Sequence, residues 1–360
     1  SFEQGEPIVG LRAANRAILY PEDTVSSVKR KMGSEEKIVI QEKSYSPEEI
    51  SSFILKYLKE EAEKVCNTEV KEVVITVPAY FSDFQRRATK EAGRLAGLEV
   101  KRIINEPTAA ALFYDHLGQV KLSEQESNVL VYDLGGGTFD VSVLRMGEIT
   151  EVLASRGNTH LGGDDFDIEI MQHCFQKIQL EHQLNLREYR PALARLKNAA
   201  EKAKINLSTY PFTQIEEPLL PNQEGKKIDL NFEFSRDELE GFIEQYLETT
   251  RQEMYSALEE AGLNHDAVEK VLLVGGSTRM PAVIRLLEDE FGSSRMPVVD
   301  PDLSVAKGAA IQGGIISGAH VYQVLIDVTS HTLSVEAYDA DRELICVPMI
   351  PRNTQIPVTR

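Results

Sequence analysis

Asp133-Leu134-Gly135-Gly136-Gly137-Thr138-Phe139-Asp140 is the stretch whose residue types and spacing are best suited to chemistry. Three glycines between two apolar strands predict a tight turn at positive φ. They also leave backbone N–H groups open to a phosphate, and Thr138 adds a hydroxyl donor. Asp133 and Asp140 place a carboxylate on each side of the turn, which suits a hydrated Mg²⁺. The plainer reading is a glycine hairpin with two solvated aspartates.

Three further stretches carry weaker signals. Val271-Leu272-Leu273-Val274-Gly275-Gly276-Ser277-Thr278-Arg279 is a buried strand, a Gly-Gly turn and a helix start near Met280. Its glycines permit close approach of a flat or anionic ligand, and the helix N-terminus favours negative charge. Arg279 is suited to stack on a base or pair with a carboxylate. Glu201, Lys204 and Ser208 fall on one helix face at i, i+3, i+7, opposite Leu193, Leu196, Ala200, Ala203 and Leu207. Such a face fits ribose hydroxyls and an adenine edge, or is simply solvated. In Asn105-Glu106-Pro107-Thr108-Ala109-Ala110-Ala111 a strand runs into a proline-initiated helix. Glu106 stands at the strand end, where α/β clefts gather ligands. There it would orient a metal-bound or attacking water, or only stabilise a helix start. The seven histidines form no paired-ligand spacing, and GxSxG, GxxxxGK[ST] and GxGxxG do not occur. Serine hydrolases, P-loop NTPases and dinucleotide oxidoreductases are thereby disfavoured.

The elements that position these residues alternate between short strands and amphipathic helices, an α/β pattern. Ser46-Pro47-Glu48-Glu49 predicts a capped helix start, followed by Ile50, Phe53, Ile54, Tyr57 and Leu58 at helical spacing. A strand is expected over 71–77, a helix over 85–96, strands over 100–104, 128–133 and 139–144, long helices over 191–207 and 236–258, and a strand over 271–274. Ser235 and Glu238 form the capping box of the second long helix. The stretch 210–227, with Pro211, Pro218 and Pro221, is expected to form surface loops and a peripheral sheet. The two glycine turns suggest two related lobes facing a shared cleft. At 360 residues, 42% hydrophobic and 27% charged, the chain has a globular composition. A net charge of −18 argues against nucleic acid as main partner. Cys66, Cys174 and Cys346 are too scattered for a disulfide framework or zinc site. No apolar run reaches spanning length and no signal peptide is visible; with low cysteine use this suits a cytoplasmic or organelle-matrix setting. The first residue is Ser1, so a native start upstream is expected.

Taken together, the chain resembles the Hsp70 chaperone family. The resemblance rests on Val73-Val74-Ile75-Thr76-Val77-Pro78-Ala79-Tyr80-Phe81, the 103–111 and 133–140 stretches, and Thr159-His160-Leu161-Gly162-Gly163-Asp164-Asp165-Phe166-Asp167. Ala199-Ala200-Glu201-Lys202-Ala203-Lys204 and Gly275-Gly276-Ser277-Thr278-Arg279 add to it. It implies an α/β, actin-like (ribonuclease H-like) ATPase fold of two lobes and four subdomains, without its first strands. ATP or ADP with Mg²⁺ would lie at the base of the cleft.

The implied organisation is lobe I over 1–125 (peripheral 1–46, core 47–125) and lobe II over 126–321 (core 126–166 and 246–321, peripheral 167–245). A linker over 322–328 and the start of a peptide-binding β-domain over 329–360 would follow. By resemblance, Gly135, Gly136, Gly137 and Thr138 hold phosphates, with Gly162 and Gly163 beside the nucleotide. Asp133 binds magnesium through water, and Glu106 and Asp140 shape the metal and water network. Glu201, Lys204, Ser208, Gly275, Gly276, Ser277, Arg279 and Asp302 grip adenosine. Pro78 and Arg86 correspond to a switch and relay towards the peptide-binding domain. Implied partners are unfolded, apolar peptide segments, a J-domain cochaperone and a nucleotide-exchange factor, with no nucleic acid and no membrane. The chain departs from the family at Ala14, which stands where the family has a cleft lysine; Arg12 and Arg16 are the nearby replacements. The match also begins after the family's first phosphate loop. Slow hydrolysis of ATP by this chain is therefore expected. A weakened nucleotide-binding module and an actin-like sugar kinase are the alternatives.

Overall fold

The computed structural model describes residues 1–118, 126–222, 225–319, 324–339 and 342–359. The domain limits expected at 125, 321 and 360, residues 322 and 323 of the expected linker, and 223 and 224 of the turn-rich stretch lie outside them.

Near-continuous apolar runs predict strands buried on both faces, and those runs build the central sheet. Its strand order is Lys270–Val274, Ser127–Leu134, Phe139–Met146, Ile149–Asn158, Val324–Val328, Gln355–Ile356. Lys270–Val274 lies parallel to Ser127–Leu134, and the next two pairings are antiparallel. Alternate residues serve opposite cores. Leu130, Tyr132 and Leu134 face the helices Gly163–His182, Arg190–Thr209 and Arg236–Glu260. Val129 and Val131 face Ala110, Ala111 and Tyr114 of the helix Glu106–His116. A second, two-stranded parallel sheet pairs Glu72–Val77 with Glu99–Asn105. Asn105 then stands at the N-cap position of the helix that carries Glu106, with its side chain turned to Asp327 instead of capping. That helix crosses Ser304–Ile316 at very short range, with Gly308 against Ala109.

Local chemistry explains most element starts. Ser46 accepts from the Glu49 N–H while the Glu49 carboxylate accepts from the Ser46 N–H. Ser235 and Glu238 repeat the pattern. The helix expected from 85 begins earlier, at Asp83, because Ser82 and Gln85 form the same reciprocal cap. Ser235→Ala is expected to cost about 1 kcal/mol, seen as a lower thermal midpoint; an unchanged midpoint would dismiss the cap.

The stretch 210–227 holds the sheet expected there with less loop than expected: Phe212–Pro221 is one strand of a hairpin with Lys227–Ser235. A register irregularity between Glu217 and Leu220 absorbs Pro218. Ile54, Tyr57 and Leu58 are exposed although Ile50 is buried, so Pro47–Cys66 is covered mainly near its start. The two glycine turns do not belong to facing lobes, because their strands are parallel neighbours in one sheet. Val324–Val328, within the expected linker, forms a sheet strand in which Val324, Leu325 and Ile326 pair with Ile149, Thr150 and Glu151.

Candidate functional site

The parallel pairing brings both glycine bends to the same sheet end. Ser277 Oγ donates to the Gly135 carbonyl at 2.9 Å. The Gly163 N–H donates to that carbonyl at 3.0 Å, and the Asp164 N–H to the Gly136 carbonyl at 2.7 Å. Gly135, Gly136, Gly162, Gly163, Gly275 and Ser277 thus form one packed cluster. The bends lie side by side, not on opposite sides of a gap.

The glycines of the first bend do not adopt positive φ. Gly275 does, at +84°, and a Cβ there would stand 2.4 Å from the Leu134 carbonyl oxygen. The left-handed residue is therefore the one that brings the second strand against the first. At the first bend the Gly135 N–H is used by the Thr138 carbonyl. The N–H groups of Gly136, Gly137 and Thr138 find no acceptor among the described residues. Successive free N–H groups of this kind form an anion-binding concavity.

Carboxylates gather beside that bend. Asp133 and Asp140 are buried. Asp140 accepts from the Tyr80 N–H at 2.8 Å. Burial, then the charge of Glu106, pushes the Asp140 carboxyl up to about 7. Burial also holds Asp133 well above the usual carboxylate range, reinforced by Glu106 and Asp140 and opposed by Lys29. Such uncompensated negative charge is a demand for a cation. Among the described residues no three His, Cys, Asp or Glu side chains converge to chelate a metal directly. Asp133 and Asp140 are carboxylates able to accept hydrogen bonds from the waters of a hydrated Mg²⁺.

The expected adenosine residues are less uniform. Lys204 does not stand free on its helix face: its ammonium lies 2.8 Å from both the Gly163 carbonyl and Asp167. Asp167 is buried, which pushes its carboxyl up to about 6 against the pull of Lys204. Ser208 Oγ donates to the Lys204 carbonyl one turn back. Glu201 lines a cavity of about 340 Å³ with Ser27, Val28 and Ala14. Arg279 and Asp302 pair with each other at 2.6 Å. A 3-10 turn, Gly276–Arg279, separates the second bend from its helix, which begins at Pro281 rather than Met280. The second bend thus offers glycine close packing rather than an immediate helix N-terminus.

Pro78 and Arg86 flank in sequence the segment of Tyr80, whose N–H donates to Asp140. Arg86 donates to the Ala79 carbonyl at 2.8 Å, the Phe81 carbonyl at 3.1 Å and Ser330 Oγ at 3.3 Å. Ser330 Oγ also donates to the Ala79 carbonyl. His331 bonds the Tyr80 carbonyl, and the two rings stand 4.4 Å apart. Asp327 accepts from Asn105 Nδ2 and Thr108 Oγ.

Two residues of the site were missed by the sequence reading. Lys29 Nζ lies 2.6 Å from Glu106. Arg30 donates from Nε to the Gly137 carbonyl at 2.8 Å and pairs with Asp165. The visible signal was a basic run, Lys29-Arg30-Lys31, in an acidic chain. Arg12 and Arg16, the expected replacements at Ala14, both turn to Glu3 instead.

The Hsp70 family profile, described as Hsp70 protein, matches residues 34–360. This chain belongs to the Hsp70 family. Its α/β architecture is accordingly the actin-like ATPase fold of that family. The Hsp70 chain is 48% identical over 364 residues to the chaperone protein DnaK of Thermotoga petrophila, covering 99% of this chain and 60% of that protein. It is 47% identical over 361 residues to the DnaK of Mycoplasma mobile, covering 100% and 59%. With the DnaK of Thermosipho africanus it shares 46% identity over 361 residues, covering 99% and 59%. The Hsp70 chain therefore spans about 60% of the length of these relatives. Among its described residues no helix is long and apolar enough to cross a membrane.

Proposed function

We propose that this chain binds ATP with Mg²⁺ at the glycine cluster and hydrolyses it as the nucleotide-controlled part of a chaperone. The observation that carries the reading is the row of free N–H groups at Gly136, Gly137 and Thr138 beside the buried carboxylates of Asp133 and Asp140. The N–H groups and Thr138 would hold phosphate oxygens, and the carboxylates would hold the cation's waters. Glu106 and Asp140 would orient the attacking water, with positioning and charge supplying the rate. Glu201, Lys204, Ser208, Gly275, Gly276, Ser277, Arg279 and Asp302 would surround the nucleoside.

The DnaK relatives support the wider proposal. Nucleotide state would pass through Pro78 and Arg86 to the segment after residue 321, and so to a domain gripping unfolded, apolar peptides. A J-domain cochaperone and an exchange factor would act on the cycle, in the cytoplasm. The two-lobe division, with limits at 125 and 321, belongs to the same proposal. Turnover by this chain would be slow, because Ala14 brings no cation and Arg12 and Arg16 are engaged elsewhere.

Calorimetric titration of ATP is the test. One site per chain is expected, weakened at least about tenfold by chelating Mg²⁺, with Asp133→Asn losing that metal dependence. Absence of ATP binding would sink the reading. Ala14 also favours a second reading, a nucleotide-binding regulatory module without turnover. Single-turnover hydrolysis at buffer background, with binding intact, would select it.

A further inference from the structure

Five cations near the glycine cluster are already committed. Arg30 is held by Gly137 and Asp165, and Lys204 by Gly163 and Asp167. Arg279 is held by Asp302, Arg86 by backbone carbonyls, and Lys31 by Glu36. Lys29 differs in two ways. Its bonded partner, Glu106, is itself one of the charges that raise Asp133 and Asp140. Its side chain is also about half exposed, at 47%, whereas Glu106 is at 13%. The exposure belongs to the side chain as a whole, while its ammonium end stands among the carboxylates of Glu106, Asp133 and Asp140.

The turn bearing Lys29 is fixed on both sides. Ser27 Oγ donates to Asp164, and Arg30 grips the glycine bend and Asp165. Its short helix, Val28–Lys31, touches the glycine bend through Arg30, and Lys29 reaches Glu106. Lysine is a compact charge with three rotatable donors, able to exchange a carboxylate oxygen for a phosphate oxygen.

We propose that Lys29 is the terminal-phosphate ligand of this cleft, leaving Glu106 for the outermost phosphate of a nucleoside triphosphate. The proposal rests on the nucleotide reading above. It places a charge at the terminal phosphate only; Ala14, Arg12 and Arg16 still bring none to the attacking water, so slow turnover stays the expectation. Once Lys29 has moved, Glu106 is free to accept a hydrogen bond from water. The consequence is selectivity for triphosphate over diphosphate, because a diphosphate held on Gly136, Gly137 and Thr138 leaves the Lys29–Glu106 pair closed.

The test compares equilibrium binding of a non-hydrolysable ATP analogue and of ADP, both with Mg²⁺, to the chain and to Lys29→Gln and Lys29→Arg. Lys29→Gln is expected to weaken the triphosphate about tenfold or more, with ADP changed less than about twofold. Lys29→Arg should recover part of the loss, since the charge returns with a different shape. Equal weakening of both nucleotides, or of neither, would overturn the assignment while leaving nucleotide binding intact. Failure of the unsubstituted chain to bind either nucleotide would remove the nucleotide reading and this assignment together.

Discussion

Gly308→Ala is expected to destabilise the chain by about 3 kcal/mol or more, at the upper end of overpacking. A Cβ at Gly308 would stand 1.7 Å from the Ala109 carbonyl oxygen and 2.4 Å from its carbon. Both are backbone atoms of the facing helix, so no rotamer change can relieve the clash. The helices Glu106–His116 and Ser304–Ile316 would have to separate. Because Glu106 opens the first of them, the Lys29 contact should loosen with the core. Gly314 supplies the control within the same helix. A Cβ there meets only the Ala319 Cβ, at 3.7 Å. Gly314→Ala should therefore stabilise the helix, by up to about 1 kcal/mol. Thermal and urea midpoints measured side by side decide the matter: shifts of equal sign for the two variants would rule out the close crossing.

Asp140→Asn is expected to make the ligand-free, metal-free chain more stable above neutral pH while impairing metal and nucleotide binding. The folded carboxyl titrates at about 7, far above the ordinary 3.8. Between those values the folded state keeps a proton that the unfolded chain has released. Stability attributable to this residue therefore falls as pH rises from about 4 to about 7, then levels off. Asp133 is raised as well and acts in the same direction. An amide at 140 still accepts the Tyr80 N–H but carries no charge. The stability difference between variant and parent should be near zero at pH 4 and grow towards at most about 4 kcal/mol by pH 8. Unfolding in EDTA across that range checks it; a difference that does not change with pH would contradict the buried-charge account. A gain in stability bought with lost binding is the usual trade at a functional carboxylate.

The parts of this molecule that were legible in its sequence are those whose chemistry is contiguous. The eight residues from Asp133 to Asp140 carry their strands, bend and carboxylates together, so the structure returns them as one unit. Capping boxes span four residues and are legible at Ser46 and Ser235, although the one at Ser82 is not among the expectations. Contacts set by topology were not legible. Lys29 meets Glu106 across 77 positions, and nothing near either residue specifies the other. Lys204 and Asp302 stand out in the sequence, but their partners Asp167 and Arg279 come from helix packing and turn geometry. The left-handed glycine was assigned to the first bend because three glycines stand there. Close packing of parallel strands instead requires it at Gly275. Val324–Val328 enters only as part of a linker implied by resemblance, and its sheet partner, Ile149–Asn158, could not be inferred from local pattern.

The amide joining Ala79 to Tyr80 has a mechanical consequence. Peptide units are planar, so the Ala79 oxygen and the Tyr80 hydrogen are opposite rims of one stiff plate. One rim is bonded to Asp140, and the other to Arg86 and Ser330. Tilting this plate by a few degrees at the Asp140 rim must swing the opposite rim the other way, like a rocker on a pivot, with no side-chain slack between them to absorb the motion.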